Sequence, residues 1–409
     1  MNFDKGKILS AFVWSAVCIL LFFVFVGGIV RGVDTQDYPI HIKIASGISM
    51  EGLLHPLTFL KENCYPVWHI LARTLMKVFG CEGRTAAIVL TVGCLLGTWA
   101  CAAFYFLRKY REYEWEVVLA ACVLLILVMP IWLPFFNPNI MLGQGGPNLL
   151  HNPTFLMGRL FAFPCFLWYV AIMEGISKET ALHMNACRFI ALSVLLLLST
   201  LSKPSFVQMF FPAMFILAGF KVIRHCKRMV YPIVVVAMSF IPTLLLIGLQ
   251  TWFSFYSSHI GSPSVNESGI GIAFLKVWSL SSPNVFVSIL LAIFFPLIVL
   301  LWSIWARKVS TADVLAWIMC GVAALQGGFM YEKGPRWMHG NLFWAWNLAL
   351  FIVWFTSIDR LIMLTREYVN GNVTIRQNCW FWCAIVALSL HLVSGICYLW
   401  RVLLWGNYS

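Results

Sequence analysis

Charged side chains are scarce in this sequence, and acidic ones are the scarcest. Asp and Glu occupy 16 of the 409 positions and Lys and Arg occupy 28. Charged residues make up 11% of the chain, against about 25% in soluble domains. So few charges exclude a large water-soluble domain. The net charge of +12 comes from short basic clusters between apolar runs, which indicates contact with membrane lipids and argues against nucleic acid as a partner.

Metal-ligand and disulfide patterns are also missing. The 13 cysteines show neither metal-site spacing nor a disulfide framework, and most lie inside apolar runs. We interpret them as buried small hydrophobic residues. The sequence therefore predicts no certain cofactor and no metal ligands among its cysteines.

Long apolar runs are what the sequence has in abundance. Hydrophobic residues make up 61% of the chain and the mean hydropathy is +0.85. Runs of 18 or more apolar residues recur along the whole chain, as expected for transmembrane helices. We predict an all-α, polytopic transmembrane helical bundle of about 11 or 12 helices, forming a single integral membrane domain over residues 1–409.

Basic residues predict the topology. Lys5 and Lys7 precede the first apolar run, residues 8–30, and place the N-terminus in the cytoplasm, with a bacterial plasma membrane as the expected location. Residues 33–64 then form the first external loop, with short interfacial helices. Residues 65–79 are predicted not to cross, because a crossing would put the basic cluster 108–111 outside. Further external loops are predicted at 137–154, 254–282 and 331–341.

Polar residues that could carry chemistry form four clusters on the external side of this topology. The first follows the first helix, the second and fourth lie in external loops, and the third marks a break between two apolar runs at Lys203-Pro204. The residues are Asp34, Asp37 and His41; His151, Asn152 and Arg159; Lys203; and Glu332, Lys333, Arg336 and His339.

Each cluster also has a simpler interpretation. Asp37, with Pro39 two residues later, could be a helix N-cap. Long cationic side chains that could reach headgroups or water without binding a ligand are Arg159, Lys203, Lys333 and Arg336. His69 is predicted to be an interfacial anchor, and His391, alone in an apolar run, to be a packed polar residue.

Taken together, the clusters place carboxylates and cations on one face of the membrane. Lys and Arg hold phosphate groups by charge-assisted hydrogen bonds, and a carboxylate can take a proton from an attacking hydroxyl. This combination suits the transfer of a group from a lipid phosphate. Asp34 and Asp37 could also bind a divalent cation, although two carboxylates alone do not establish a metal site.

The order of these features resembles the GT-C superfamily of polytopic glycosyltransferases, which use polyprenyl-phosphate sugars. An acidic residue follows the first helix in that family, as Asp34 and Asp37 do here. A Pro-aromatic segment follows, here Tyr-Pro-Val-Trp-His-Ile-Leu at 65–71, and then a Phe-Gly turn with a nearby Arg, here at 79–84. The resemblance covers roughly residues 8–135. The chain differs in that its two Asp residues are not an adjacent Asp-x-Asp and Val67 replaces a proline.

The resemblance implies an inverting transfer from a polyprenyl-phosphate-linked sugar donor to a glycan or lipid acceptor at the external face. Asp34 or Asp37 would be the base, with His41 nearby, and Lys203, Arg159 and Arg336 would hold the donor phosphate. Lys203 and Arg159 are expected to face the same cavity as Asp37. The other substrate-binding candidates are His151, Asn152, Glu332, Lys333 and His339.

Two other functions use the same residues. A transporter or flippase of a lipid-linked saccharide would need the cations but no base. A polysaccharide polymerase or ligase with an unrelated helical fold would depend on His151, Arg159 and Arg336 more than on the Asp pair.

Overall fold

The computed structural model describes residues 5–110, 115–177, 186–225, 230–255, 269–334, 337–371 and 374–406. Most of them are helical, so the predicted all-α class is confirmed. A helix satisfies its own backbone N–H and C=O groups, as an apolar segment in lipid requires. The helices are α1 (Lys5–Gly32), α2 (Tyr38–Gly47), α3 (Met50–Leu53), α4 (Pro56–Glu62), α5 (Pro66–Phe79), α6 (Gly83–Lys109), α7 (Trp115–Leu127), α8 (Pro153–Ser177), α9 (Ala186–Ser202), α10 (Ser205–His225), α11 (Val230–Met238), α12 (Ile241–Phe255), α13 (Val285–Trp305), α14 (Thr311–Phe329), α15 (Trp344–Val369) and α16 (Ile375–Trp405).

Within the described residues, nine helical segments are long and apolar enough to cross a membrane. They are Phe12–Gly32, Gly83–Lys109, Pro153–Gly175, Ser205–Ile223, Ile233–Ser254, Val285–Trp305, Thr311–Phe329, Trp337–Val369 and Gln377–Trp405. Trp115–Leu127 and Cys187–Ser202 are shorter apolar helices, and counting them brings the total to the lower end of the predicted 11 or 12. The chain is therefore an integral membrane protein with a polytopic helical bundle.

The first loop leaves and re-enters the bundle at the same end. Arg84, at the start of α6, donates Nε to Asp34 Oδ1 at 2.9 Å and Nη2 to Val30 O at 3.1 Å, near the end of α1. The segment from α2 to α5 therefore does not cross the bundle, as predicted for residues 65–79. We call this end of the bundle, where α1 ends and α6 begins, the Asp37 end.

Helix α15 forms the centre of the bundle. Every residue from Ala345 to Ile362 is buried, which is expected of a helix that is enclosed by other helices on all sides. It begins at the Asp37 end with Trp344. At the opposite end, Asp359 pairs with Lys109 at 2.5 Å and Arg360 pairs with Asp313 at 2.8 Å.

The segment after α7 is non-helical and runs through the interior. Helix α7 has 13 residues, about 20 Å of rise, whereas a bilayer core is about 30 Å thick. Backbone without helical hydrogen bonds needs other partners at this depth. His391 supplies them at Met129, because its Nδ1 donates to Met129 O at 2.7 Å and its backbone O accepts from Met129 N at 3.4 Å. Its Nε2 also accepts from Phe295 N in α13 at 3.4 Å. The prediction of a packed polar role for His391 is confirmed.

The region 137–154, predicted as an external loop, is largely buried. Asn148 Nδ2 donates to Leu125 O at 2.8 Å and to Val128 O at 2.9 Å, so the loop folds back onto the end of α7. Gly145 has φ of +74°, and a Cβ there would lie 2.5 Å from Asn347 Oδ1. Because position 145 is a glycine, the loop can pack closely against the start of α15.

Two other predicted loops are joined by a two-stranded antiparallel ribbon. Strand β1 (Ile270–Ile272) pairs with β2 (Met330–Glu332), and Gly271 lies opposite Tyr331. Glu332 therefore has a fixed position at the Asp37 end. Residues 256–268 of the predicted 254–282 loop lie outside the described part of the chain.

Gly395 lies where α16 packs closely against the end of α7 and the non-helical segment that follows it. A Cβ at this position would lie 1.6 Å from Leu127 O. We expect Gly395→Ala to destabilise the protein by about 3 kcal/mol, the upper end of the range for overpacking, because a backbone atom must move. Thermal unfolding in detergent should show a clear drop in midpoint. Gly93→Ala in α6, where a Cβ would meet nothing within 4 Å, is the control. Equal midpoints for the two variants would contradict this packing.

Candidate functional site

The side chain of Asp37 faces the interior of the bundle, at the end where α1 ends and α6 begins. It does not cap α2. It stands at the N-cap position of α2 with Pro39 in the first turn, as the simpler interpretation predicted, but its side chain makes no capping hydrogen bond. Asp37 Oδ2 instead accepts a hydrogen bond from Asn152 Nδ2 at 2.7 Å. The carboxylate is therefore held by a residue far away in the sequence, and its Oδ1 has no hydrogen-bond partner among the described residues.

Asn152 is oriented by its own hydrogen bonds. Its Oδ1 accepts from Phe155 N and Thr154 Oγ1, both at 2.8 Å, at the start of α8. Because the oxygen is committed to these donors, the amide nitrogen must point at Asp37. Asn152 thus combines N-capping of α8 with positioning of the carboxylate.

Lys203 lies on the other side of the same amide. The predicted break is confirmed, since α9 ends at Ser202 and α10 begins at Ser205. Lys203 Nζ is 3.5 Å from Asn152 Oδ1 and 4.2 Å from the ring centroid of Trp344. Within the described residues no carboxylate forms a salt bridge with it. Burial lowers the pKa of Lys203 to about 7, although Asp37 and Glu332 act in the opposite direction.

Two histidines adjoin this group. His41, one helical turn after Asp37, has its Nδ1 at 2.8 Å from His69 Nε2, and His69 Nδ1 is 2.9 Å from Tyr65 O. His69 is only 4% exposed, so its prediction as an interfacial anchor is wrong. Burial lowers the pKa of His41 to about 3 and that of His69 to about 4. Both rings are therefore neutral at pH 7.

A cavity of about 190 Å³ opens beside Trp344. Aromatic side chains form much of its wall, and polar side chains lie among them. The aromatic residues are Trp278, Tyr331, Trp337, Phe343 and Trp344, and the polar ones include His151, Glu332, His339, Asn341 and Asn347. The ring centroids of His151 and Trp344 are 5.1 Å apart. Since Lys203 also contacts Trp344, the cavity and the Asp37–Asn152–Lys203 group are neighbours.

Arg159 lies on α8, seven residues after Asn152, and its phosphate-binding role stays a prediction. Its side chain is 1% exposed, donates Nη1 to Pro147 O at 2.8 Å, and lies 4.8 Å from the ring centroid of Phe351. Like Asp37, Asn152 and Lys203, it does not line the cavity beside Trp344, so that cavity is not the shared one expected for Lys203, Arg159 and Asp37. Arg159 therefore fixes the buried loop that leads into His151 and Asn152.

The remaining predicted residues are dispersed. Asp34 pairs with Arg84 and its side chain is 57% exposed, so it lies apart from Asp37's partners. Glu332 accepts a hydrogen bond from Asn341 Nδ2 at 2.8 Å and, like His339, lines the cavity. Lys333 is exposed. Arg336 lies outside the described residues.

No group of three or more His, Cys, Asp or Glu side chains in the described ranges is arranged to hold one metal ion. Asp34 and Asp37, the two carboxylates considered for a cation, have separate partners in Arg84 and Asn152.

The sequence did not identify two residues of the site, Trp344 and His69, as candidates for ligand binding. Trp344 is one of 19 tryptophans, and no local pattern distinguishes it from those at a lipid interface. His69 lies in a short segment with Arg73 and Lys77, which obscured that its ring turns inward.

Comparison with known proteins adds no family to these observations. No protein-family model matches the chain, and no protein of curated function is similar to it.

Proposed function

We propose that this protein is a membrane glycosyltransferase of the GT-C type, which transfers a sugar from a polyprenyl-phosphate donor to a glycan or lipid acceptor. The observation that carries the proposal is the Asp37–Asn152–Lys203 group. One amide holds a carboxylate on its nitrogen side and a lysine on its oxygen side, next to an aromatic cavity. The resemblance of residues 8–135 to that superfamily supports the same assignment.

Lys203 is the proposed site for the donor phosphate. An ammonium group without a carboxylate partner in a partly buried position is stabilised by an incoming anion. At the opposite end of the bundle, by contrast, Lys109 and Arg360 already have carboxylate partners.

The aromatic cavity is the proposed site for the donor sugar. Trp344 lines the cavity and also lies 4.2 Å from Lys203 Nζ, so a sugar in the cavity would have its phosphate close to Lys203. At ~30 Å³ per water the cavity has room for about six waters. That volume is on the scale of a single sugar ring.

Asp37 is the proposed base. Its Oδ1 takes the proton of the acceptor hydroxyl while the hydroxyl oxygen bonds to the anomeric carbon. The bond from that carbon to the phosphate oxygen breaks, its electron pair leaves with the phosphate, and the anomeric configuration inverts. Asp34 is assigned no part, because it is exposed and paired with Arg84. In the predicted topology the reaction takes place on the external face of a bacterial plasma membrane.

The direct test is sugar transfer by the purified protein in lipid nanodiscs. Polyprenyl phosphates carrying radiolabelled hexoses, pentoses or amino sugars are supplied one at a time with a membrane glycan extract as acceptor. We expect at least one donor to lose its sugar and to leave polyprenyl phosphate. Failure of all donors, with a protein that remains folded, would contradict the proposed function.

A further inference from the structure

His41 and His69 form a hydrogen-bonded pair with a fixed direction. A backbone carbonyl only accepts hydrogen bonds, so His69 Nδ1, 2.9 Å from Tyr65 O, must carry a proton. A neutral His69 then has no proton on Nε2. The hydrogen of the 2.8 Å contact between His69 Nε2 and His41 Nδ1 must therefore belong to His41.

The same reasoning defines the other nitrogen of His41. With its proton on Nδ1, a neutral His41 presents a lone pair on Nε2. None of the residues that the structure describes donates a hydrogen bond to this atom. His41 is partly exposed, whereas His69 is buried. The free acceptor thus belongs to the member of the pair that a ligand can reach.

His41 and Asp37 share one face of α2. The backbone N of His41 bonds Asp37 O at 3.3 Å, so the two side chains emerge one turn apart. The charged and titratable groups that act on His41 are His69, Lys203 and Asp37. His41 therefore belongs to the group that contains the proposed base and the proposed phosphate site.

We propose that His69 and the Tyr65 carbonyl are positioning groups that hold His41 as its Nδ1–H tautomer. His41 Nε2 then accepts a hydrogen bond from a hydroxyl of the acceptor substrate other than the attacking one, and so orients the attacking hydroxyl beside Asp37. This role rests on the proposed function. His69 touches no substrate and acts through His41.

Burial supports the neutral state that the tautomer requires. It lowers the pKa of both histidines well below 7, and the neighbouring His69 and Lys203 lower that of His41 further. His41 is thus a neutral hydrogen-bond acceptor at physiological pH, while the proton of the reaction goes to Asp37.

Nitrogen-15 NMR of the full-length protein, labelled at histidine and held in nanodiscs, tests the tautomer without any substrate. We expect His41 to carry its proton on Nδ1 in the wild type. His69→Phe keeps an aromatic ring but removes the acceptor, so at least half of His41 should move to the Nε2–H tautomer. His69→Gln retains an acceptor oxygen and should restore Nδ1–H. His55→Phe, at an exposed position before α4, is the control and should change nothing. An Nε2–H tautomer in the wild type, or no change in His69→Phe, would overturn the proposal.

Transfer kinetics test the role towards the acceptor. His69→Phe should raise the acceptor KM by about five- to tenfold, the loss of about one hydrogen bond, with the donor KM unchanged and His69→Gln close to wild type. Equal changes in both KM values would indicate a merely structural role and overturn the proposal. If no donor supports transfer, the proposed function fails together with the acceptor role. The NMR result would still decide the tautomer, so the two failures are distinguishable.

Discussion

Replacing Asp37 with Asn is expected to reduce sugar transfer by about 100-fold or more, because a positioned general base typically contributes 10²–10⁴ in rate. Asn has nearly the same shape, and its Oδ1 can still accept the hydrogen bond from Asn152 Nδ2, now 2.7 Å from the carboxylate. The loss should therefore appear in kcat, with thermal stability and donor affinity little changed. The measurement is the initial rate of polyprenyl phosphate release at saturating donor and acceptor.

Asp34→Asn is the matched control for Asp37→Asn. Asp34 is also a carboxylate after α1, but it is exposed and paired with Arg84. We expect this variant to retain most of the wild-type rate. If Asp37→Asn kept more than a tenth of the rate, Asp37 would not be the base. A transporter of lipid-linked saccharides, which needs the cations but no base, would then explain the site better.

Replacing Lys203 with Met is the second change with a large expected effect. Met keeps the length of the side chain and removes the charge. We expect the affinity for a polyprenyl monophosphate, measured by native mass spectrometry in nanodiscs, to fall by about ten- to 100-fold, the range for a charged hydrogen bond. The kcat at saturating donor should change much less, because the residue binds the donor in both ground and transition states.

Lys333→Met is the control for Lys203→Met, since Lys333 is exposed in the ribbon region. Its affinity for the monophosphate should equal that of the wild type. An unchanged affinity in Lys203→Met would mean that the ammonium only packs over Trp344 and reaches towards headgroups, which is the simpler interpretation of its sequence position.

The binding of polyprenyl phosphate should also depend on pH through Lys203. Burial lowers the pKa of its ammonium to about 7, so the cation is present below that pH and is lost as the pH rises. A bound phosphate favours the cation and moves the midpoint upwards. We expect the affinity to fall more from pH 6.5 to pH 9 in the wild type than in Lys203→Met, in which the titration of the phosphate itself remains but that of Lys203 is gone. If the wild type and Lys203→Met showed the same dependence of affinity on pH, Lys203 would not be the group that titrates.

The helical architecture could be predicted because long apolar runs have one stable solution in lipid. The helix break at Lys203-Pro204 could be predicted equally well, since proline removes a backbone donor and ends a helix. Both features depend on residues that are neighbours in the sequence. The pair of Asp34 with Arg84 and the contact of Asp37 with Asn152 depend on distant segments, and only the folded chain distinguishes the two carboxylates.

The region 137–154 shows why burial was harder to predict than helices. Gly, Pro and Asn are typical of exposed turns, yet the same residues allow a chain to fold back into the interior when partners exist there. Those partners are Asn347 on α15 and the carbonyls at the end of α7, far away in the sequence. Arg159, on α8, also helps to hold this loop in the interior, because it donates a hydrogen bond from Nη1 to Pro147 O.

The position of a bound donor tests the central claim most directly. Cryo-electron microscopy of the protein in nanodiscs, with a polyprenyl-phosphate sugar that the transfer assay identifies, locates the phosphate and the sugar separately. We predict phosphate density at Lys203 Nζ, the sugar ring in the cavity beside Trp344, and Asp37 Oδ1 facing the anomeric carbon from the side opposite the phosphate. A donor phosphate bound away from Lys203, or a sugar ring outside the Trp344 cavity, would contradict the assignment of this site.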